Sequence, residues 1–240
     1  MIDGLLVALG FLSRVPVPAR VFARPGAQAR SLPWYPLVGL VIGALLCVLA
    51  WALQEAPPLL SAALLVAAWA WLSGGLHLDG LADSADAWVG GLGDRQRTLA
   101  IMKDPRSGPA AVVALTLVLL LKFAALASLP APAWLPLLLA PMLGRAALTA
   151  AFLSTPYVRA QGMGTALAGA SRWACGLAVL ASLALALIAG PATYAPLLAA
   201  AVVFWLWRRA CMRRLGGMTG DTCGALAELV EMTVLVMMAL

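Results

Sequence analysis

The chain has 240 residues, of which 63% are hydrophobic and only 11% charged, with a net charge of +6. A soluble domain carries roughly 25% charged residues, so an ordinary water-soluble fold is excluded and lipid is the relevant solvent. The apolar runs are continuous, with no alternation of period two, which excludes a membrane β-barrel.

In chain order, the first segment is MIDGLLVALGFLSRVPVPAR. Its apolar stretch, residues 5–12, is too short to cross a bilayer, which takes about 20 helical residues. It begins with an acid, and Arg14 replaces the small residues of a cleavage site, so an interfacial or partly inserted helix is expected instead of a signal peptide. Residues 1–33 are read as a cytoplasmic, interfacial lead-in to a single membrane-embedded domain spanning 1–240. Seven candidate spans follow: 34–53, 59–76, 109–129, 134–153, 173–189, 195–207 and 223–240. The sixth is the shortest. The fold class expected is all-α, a polytopic bundle of about seven transmembrane helices.

The charges of the connecting segments orient this bundle. Arg14, Arg20, Arg24 and Arg30 precede the first span, and residues 54–58 carry only Glu55. Residues 77–108 carry Arg95, Arg97, Lys103 and Arg106, whereas 130–133 are uncharged. Arg159 and Arg172 bracket the next connection, 190–194 are uncharged, and Arg208, Arg209, Arg213 and Arg214 close the series. Basic and base-free loops alternate, so the positive-inside rule places the N-terminus and the long loops in the cytoplasm. This pattern accounts for the net charge without a nucleic-acid partner. The four cysteines show no CxxC spacing and imply neither disulfides nor a zinc site. The nine tryptophans suit interfacial belts, with Trp88 beside the acidic motif as the one that a substrate ring might instead contact.

Acidic residues are scarce and concentrated. GGLHLDGLADSADAW, residues 74–88, holds Asp79, Asp83, Asp86 and the chain's one histidine, His77. In a helix, positions i, i+4 and i+7 fall within about 60° of arc, so the three carboxylates share one face. Like charges this close require a compensating cation or a raised pKa. Carboxylate oxygens without a thiolate or imidazole set suit Mg²⁺ or Mn²⁺. The plainer alternative is a solvated polar helix end.

GGMTGDTCGALAELVEM, residues 216–232, repeats the spacing with Asp221 and Glu228, and Glu231 follows. The two segments are expected to meet around one ion site. The alternative is an N-cap at Asp221 and a private ion pair for Glu228.

Between them, MKDPRSGPAA, residues 102–111, sets Lys103, Asp104 and Arg106 before a span, an arrangement suited to cradling phosphate. Lys122 and Arg145 lie within spans and are expected to face the bundle interior, paired with an anionic ligand or with the protein's own acids. Carboxylates for a hard cation, cations for phosphates and a one-sided cytoplasmic site describe phosphoryl or nucleotidyl transfer. A carboxylate or His77 would take the proton of an attacking hydroxyl.

The motifs resemble those of the cobalamin synthase family, the adenosylcobinamide-GDP ribazoletransferases. FLSRVPVP (11–18), WYPLVGLVIGALL (34–46), GGLHLDGLADSADAW, LAIMKDPRSGPAAVVAL (99–115), LLLKFAAL (119–126), APMLGR (140–145), PYVRAQGMG (156–164) and RRLGGMTGDTCGALAELVE (213–231) occur in the family's order along most of the chain. The resemblance implies that α-ribazole, or its 5′-phosphate, attacks the cobinamide-linked phosphorus of adenosylcobinamide-GDP. GMP then leaves, and adenosylcobalamin or its 5′-phosphate forms. It implies Mg²⁺ as cofactor. Asp79, Asp83, Asp86 and Asp221 are implied as metal or acid–base residues, with Asp104 and Glu228 as further metal candidates. Lys103, Arg106, Lys122 and Arg145 are implied as pyrophosphate contacts. Two alternatives remain at this stage, a CDP-alcohol phosphotransferase that makes a phospholipid and a cation transporter. The first lacks its Ala-Arg after Asp79–Gly80, and the second finds no charged vestibule in the bare far-side loops.

Overall fold

The computed structural model describes residues 2–159, 163–167 and 169–240. Part of the PYVRAQGMG motif, residues 160–162, therefore lies outside the described residues. Ten α-helices are described, with no β-strand among the described residues. They are α1 (Ile2–Leu12), α2 (Tyr35–Ala52), α3 (Pro58–Leu72), α4 (Leu76–Gly90), α5 (Arg95–Ile101), α6 (Pro109–Ser128), α7 (Trp134–Ser154), α8 (Arg172–Ile188), α9 (Tyr194–Leu215) and α10 (Gly220–Ala239). Every expected span is helical, but five are long and apolar enough to cross a membrane, or six if α3 and α4 count as one broken span.

The difference has local causes. The third apolar run does not continue straight through residue 76, because Gly74 and Gly75 take left-handed φ values of 66° and 71°. Glycine reaches that region without a Cβ penalty. The chain bends there by 89°, so α3 and α4 do not form one straight crossing. At the other extreme, α9 is longer than its apolar core and continues through Arg208, Arg209, Arg213 and Arg214 to a left-handed Gly216. Arginine is a good helix former, and cations at a helix C-terminus complement its dipole.

Helices α7 and α10 form the middle of the bundle, with 67% and 61% of their central windows buried, against 28% for α6 and 17% for α9. Outer helices turn large apolar side chains outward, as do Val112, Val113 and Leu117 on α6 and Leu198, Val202 and Leu206 on α9. That is the surface lipid would cover. Helix α7 packs closely on α2 because Gly39 and Gly43, one turn apart, face its backbone; a Cβ at Gly43 would lie 2.6 Å from the Leu137 carbonyl oxygen. Close helix pairs in membranes use small residues in this way.

The short base-free connections all lie at one end of the bundle. The opposite end gathers α1, the start of α2, the α3–α4 bend, α5, the end of α7 and the start of α10. There Trp88 stacks on Trp207 with ring centroids 5.3 Å apart. The guanidinium of Arg214 lies over Trp88 and donates to its carbonyl at 2.7 Å. Trp88 thus clamps α4 to α9.

Candidate active site

Two helices meet backbone to backbone at this end. A Cβ on Gly80 of α4 would lie 2.6 Å from the carbonyl oxygen of Asp221, and one on Gly224 of α10 would lie 3.2 Å from the Cα of His77. The crossing brings the two acidic segments together, as the sequence spacing suggested. Helix α10 begins in a reciprocal cap: Thr222 N–H donates to Thr219 Oγ1 at 3.2 Å, and Thr219 N–H donates to Thr222 Oγ1 at 2.9 Å. Thr219, and not Asp221, is the N-cap. The Asp221 carboxylate, in the first turn, is thereby left free to face α4.

Asp79 is exposed and Asp83 half-buried on the α4 face turned toward Asp221. Burial, followed by the charges of Asp79 and Asp221, pushes the Asp83 carboxyl up to about 6. Asp86 points elsewhere. Its two carboxylate oxygens accept from Gly108 N–H at 2.5 Å and Ala111 N–H at 2.9 Å, so it caps α6 from 22 residues away. The anion at that helix N-terminus, where phosphate was expected, is the chain's own side chain. Helix starts favour an anion because their amides are unpaired and their dipole is positive.

The segment 156–159 reaches the site through one parallel bridge, Tyr157 with Met218. Val158 N–H donates to Met218 O at 2.9 Å, and Met218 N–H donates to Pro156 O at 2.8 Å. This delivers Arg159, whose guanidinium pairs with Asp221 at 2.9 Å and donates to Met102 O at 3.1 Å. Its Nε finds no hydrogen-bond partner among the described residues. Sequence reasoning used Arg159 only as a topological charge; its place in the PYVRAQGMG motif was the signal that pointed here.

Of the remaining cations, Lys122 and Arg145 pair with the protein's own acids. Lys122 is buried and donates to Glu228 and Glu231, at 2.6 Å each, beneath the Trp69 ring at 4.7 Å. Arg145, fully buried, pairs with the other oxygen of Glu231. Two cations and two carboxylates neutralise one another, which is how a bundle interior tolerates charge. Glu228, a metal candidate by sequence, belongs to this network. Asp104 and Arg106 bind each other at an exposed turn, with 2.7 Å between Arg106 Nη2 and Asp104 Oδ2. That pairing pulls the Asp104 carboxyl down to about 2. Lys103 beside them is exposed.

A cleft opens over the helix crossing. Its lining combines His77, Asp79, Arg159 and Asp221 with the apolar and aromatic groups of Phe11, Tyr35, Leu148, Phe152, Tyr157 and Leu167. Lys122 and Arg145 are not among its lining. His77 is 3% exposed, and its Nδ1 has no partner among the described residues. Burial and then the Arg145 and Lys122 charges hold its pKa well below the usual range. The ring is therefore neutral at pH 7 and offers a hydrogen bond more readily than base catalysis.

The family model for cobalamin-5-phosphate synthase matches residues 4–239. A Pseudomonas fluorescens protein named adenosylcobinamide-GDP ribazoletransferase is 58% identical over 240 residues, covering 98% of each chain. Proteins of the same name from Stutzerimonas stutzeri and Pseudomonas savastanoi are 57% identical over 238 residues and 56% over 237. These two alignments cover 98% of this chain and 97% and 98% of the respective relatives. No solved structure matches the chain at a significant level.

Proposed function

The chain belongs to the cobalamin-5-phosphate synthase family, and from that membership we infer that it is an adenosylcobinamide-GDP ribazoletransferase of cobalamin biosynthesis. It joins adenosylcobinamide-GDP to α-ribazole or its 5′-phosphate, releases GMP, and yields adenosylcobalamin or its 5′-phosphate. It works in the cytoplasmic membrane of a bacterium, with the cleft facing the cytoplasm, where the basic loops lie. The observation that carries the site assignment is the α4–α10 crossing, which puts Asp79, Asp221 and Arg159 at one cleft, with Asp83 one turn further along α4 and within their electrostatic reach.

The donor set fits Mg²⁺. Three carboxylates stand against one guanidinium there, leaving an excess of negative charge on hard oxygen ligands. Among the described residues no three acidic, histidine or cysteine side chains surround a common point. Mg²⁺ commonly takes one or two carboxylates and completes its shell with water and substrate phosphate. Asp79 and Asp221 would hold it, and when bound it would neutralise charge on the pyrophosphate.

The chain's own residues supply the rest. Asp83, whose carboxyl burial and neighbouring acids push up in the metal-free protein, accepts the proton of the attacking ribazole hydroxyl. Arg159 carries fixed positive charge to the phosphate oxygens, where charge on the leaving GMP develops. Asp86 fixes the far end of α4 against α6 and so holds the register of Asp79 and Asp83. The buried Lys122–Glu228–Glu231–Arg145 network sits beneath the site and locks α6, α7 and α10 together.

The test is an assay of purified protein in detergent or liposomes, supplied with adenosylcobinamide-GDP, α-ribazole and Mg²⁺, with GMP release followed. Release that depends on both substrates and on the metal is expected. A folded sample that releases no GMP above a metal-free control would overturn the activity.

A further inference from the structure

The cleft's lining combines charged groups with two pairs of stacked rings. Phe11 and Tyr35 stack with centroids 6.3 Å apart at 26°, and Phe152 and Tyr157 stack at 5.9 Å and 20°. The four rings come from α1, α2, α7 and the segment that follows α7, and all four line the cleft. Phe11, Tyr35 and Leu167 also line a neighbouring hollow, which extends the apolar surface to Val7 and Phe22. None of these rings is needed for holding phosphate or moving a proton.

We propose that these rings seat the dimethylbenzimidazole base of the acceptor nucleoside, with its ribose hydroxyl toward the Asp79 and Asp221 carboxylates of the same cleft; this rests on the activity proposed above. Two flat heterocycles take part in that reaction, the guanine of the donor and the benzimidazole of the acceptor, and polarity separates them. Guanine carries several donors and acceptors on its edge, and burying these unpaired is costly. Few polar groups stand among the rings: Tyr157 Oη accepts from Gly164 N–H at 3.3 Å, Tyr35 hydrogen-bonds Ser31, and Cys223 Sγ donates to Met218 Sδ at 3.4 Å. Dimethylbenzimidazole in a riboside has one free ring nitrogen and an otherwise apolar edge. His77 lines the same cleft, and its Nδ1 lacks a partner among the described residues. Aromatic walls favour a flat ring by stacking, and the two methyl groups add apolar area to be buried.

The proposal is tested by steady-state kinetics of wild type and Phe152→Leu, with each substrate varied in turn. Removing one ring should raise the acceptor KM about tenfold and leave the donor KM within about twofold, as for loss of a base-stacking contact. A rise in the donor KM with the acceptor KM unchanged would place guanine here and overturn the proposal, as would no change in either. If the variant does not fold, the wild type decides. Free 5,6-dimethylbenzimidazole should inhibit competitively against the acceptor, and benzimidazole, lacking the methyl groups, should inhibit more weakly. No inhibition, or competition against the donor alone, overturns the proposal. If the wild type turns over no donor, the activity itself falls. Calorimetric titration with the free base then still tests the cleft, and absence of binding at millimolar base refutes the proposal.

Discussion

Gly80 and Asp221 touch through their backbones: a Cβ added at Gly80 would stand 2.6 Å from the Asp221 carbonyl oxygen and 3.0 Å from its Cα. This contact sets the distance between the two acidic helices. In an isolated helix, Gly→Ala is stabilising by about 1 kcal/mol. Here the methyl group meets backbone, which cannot rotate away, and overpacking of this kind costs about 1–3 kcal/mol. Gly80→Ala should therefore lower the thermal midpoint in detergent and reduce kcat by more than tenfold, because Asp79 and Asp83 move relative to Asp221. A higher midpoint with unchanged kcat would show that the helices are not in contact at this position.

Asp83 carries the pH dependence. Its folded pKa of about 6 lies above the ordinary 3.8. Between those values the folded protein binds more protons at this group than the unfolded chain does. Stability of the metal-free protein therefore falls as pH rises from 3.8 to about 6, and then stops falling on this account. Asp83→Asn should flatten that part of the stability curve. It should also abolish GMP release, while wild-type release declines on acidification as the carboxylate is protonated. Thermal unfolding and turnover, each measured from pH 4.5 to 8 in both proteins, check the two halves. A variant with more than about a tenth of wild-type activity would remove Asp83 as the base.

How legible all this is from sequence depends on the range of the interaction. The apolar runs that became α2, α6, α7 and α10 are read directly, since crossing lipid requires internally bonded helix of known length. The i, i+4, i+7 acids and the Gly-Gly pairs led to the expectation that the two segments meet, and Gly80 lies against the Asp221 backbone. The 89° turn before α4 was hidden in an apolar run continuous through Leu76. The commitment of Asp86 to α6 depends on a helix start 22 residues away, which periodicity cannot register. Lys122 and Arg145 were expected to face inward, and they do. Choosing between a ligand and the chain's own acids as their partner needed the positions of Glu228 and Glu231 in three dimensions. Arg159 was missed because a one-residue bridge to Met218 leaves no periodic trace.

The buried network makes a prediction about stability alone. Lys122→Met removes the cation shared by Glu228 and Glu231 and leaves carboxylate charge in the bundle interior. Loss of one partner of a buried pair typically costs about 3–5 kcal/mol. Lys122→Met should lower the thermal midpoint sharply, and adding Glu228→Gln should recover part of the loss, because the uncompensated charge is then removed. Without such recovery, the Lys122–Glu228 pair would not be the dominant interaction. A folded double variant should keep a near-wild-type KM for adenosylcobinamide-GDP, since Lys122 does not line the cleft. A large rise in that KM would restore the phosphate-binding role that its sequence position suggested.

Arg159 yields the sharpest separation of roles. Its guanidinium lies 2.9 Å from Asp221, so it competes for the carboxylate assigned to the metal and also supplies charge for the phosphates. Arg159→Gln should therefore act in two directions. Losing fixed positive charge at the leaving group should lower kcat by about 100-fold or more, the scale seen when one transition-state hydrogen-bond donor is deleted. Releasing Asp221 from its ion pair should at the same time lower the Mg²⁺ concentration needed for half-maximal activity. Arg159→Lys keeps the charge but not the planar fork, so it should fall between wild type and Gln in kcat. Titrating Mg²⁺ against GMP release in all three proteins reads both effects. If the Gln variant needs more Mg²⁺ instead of less, Asp221 is not the shared carboxylate and the guanidinium orders the site by another route.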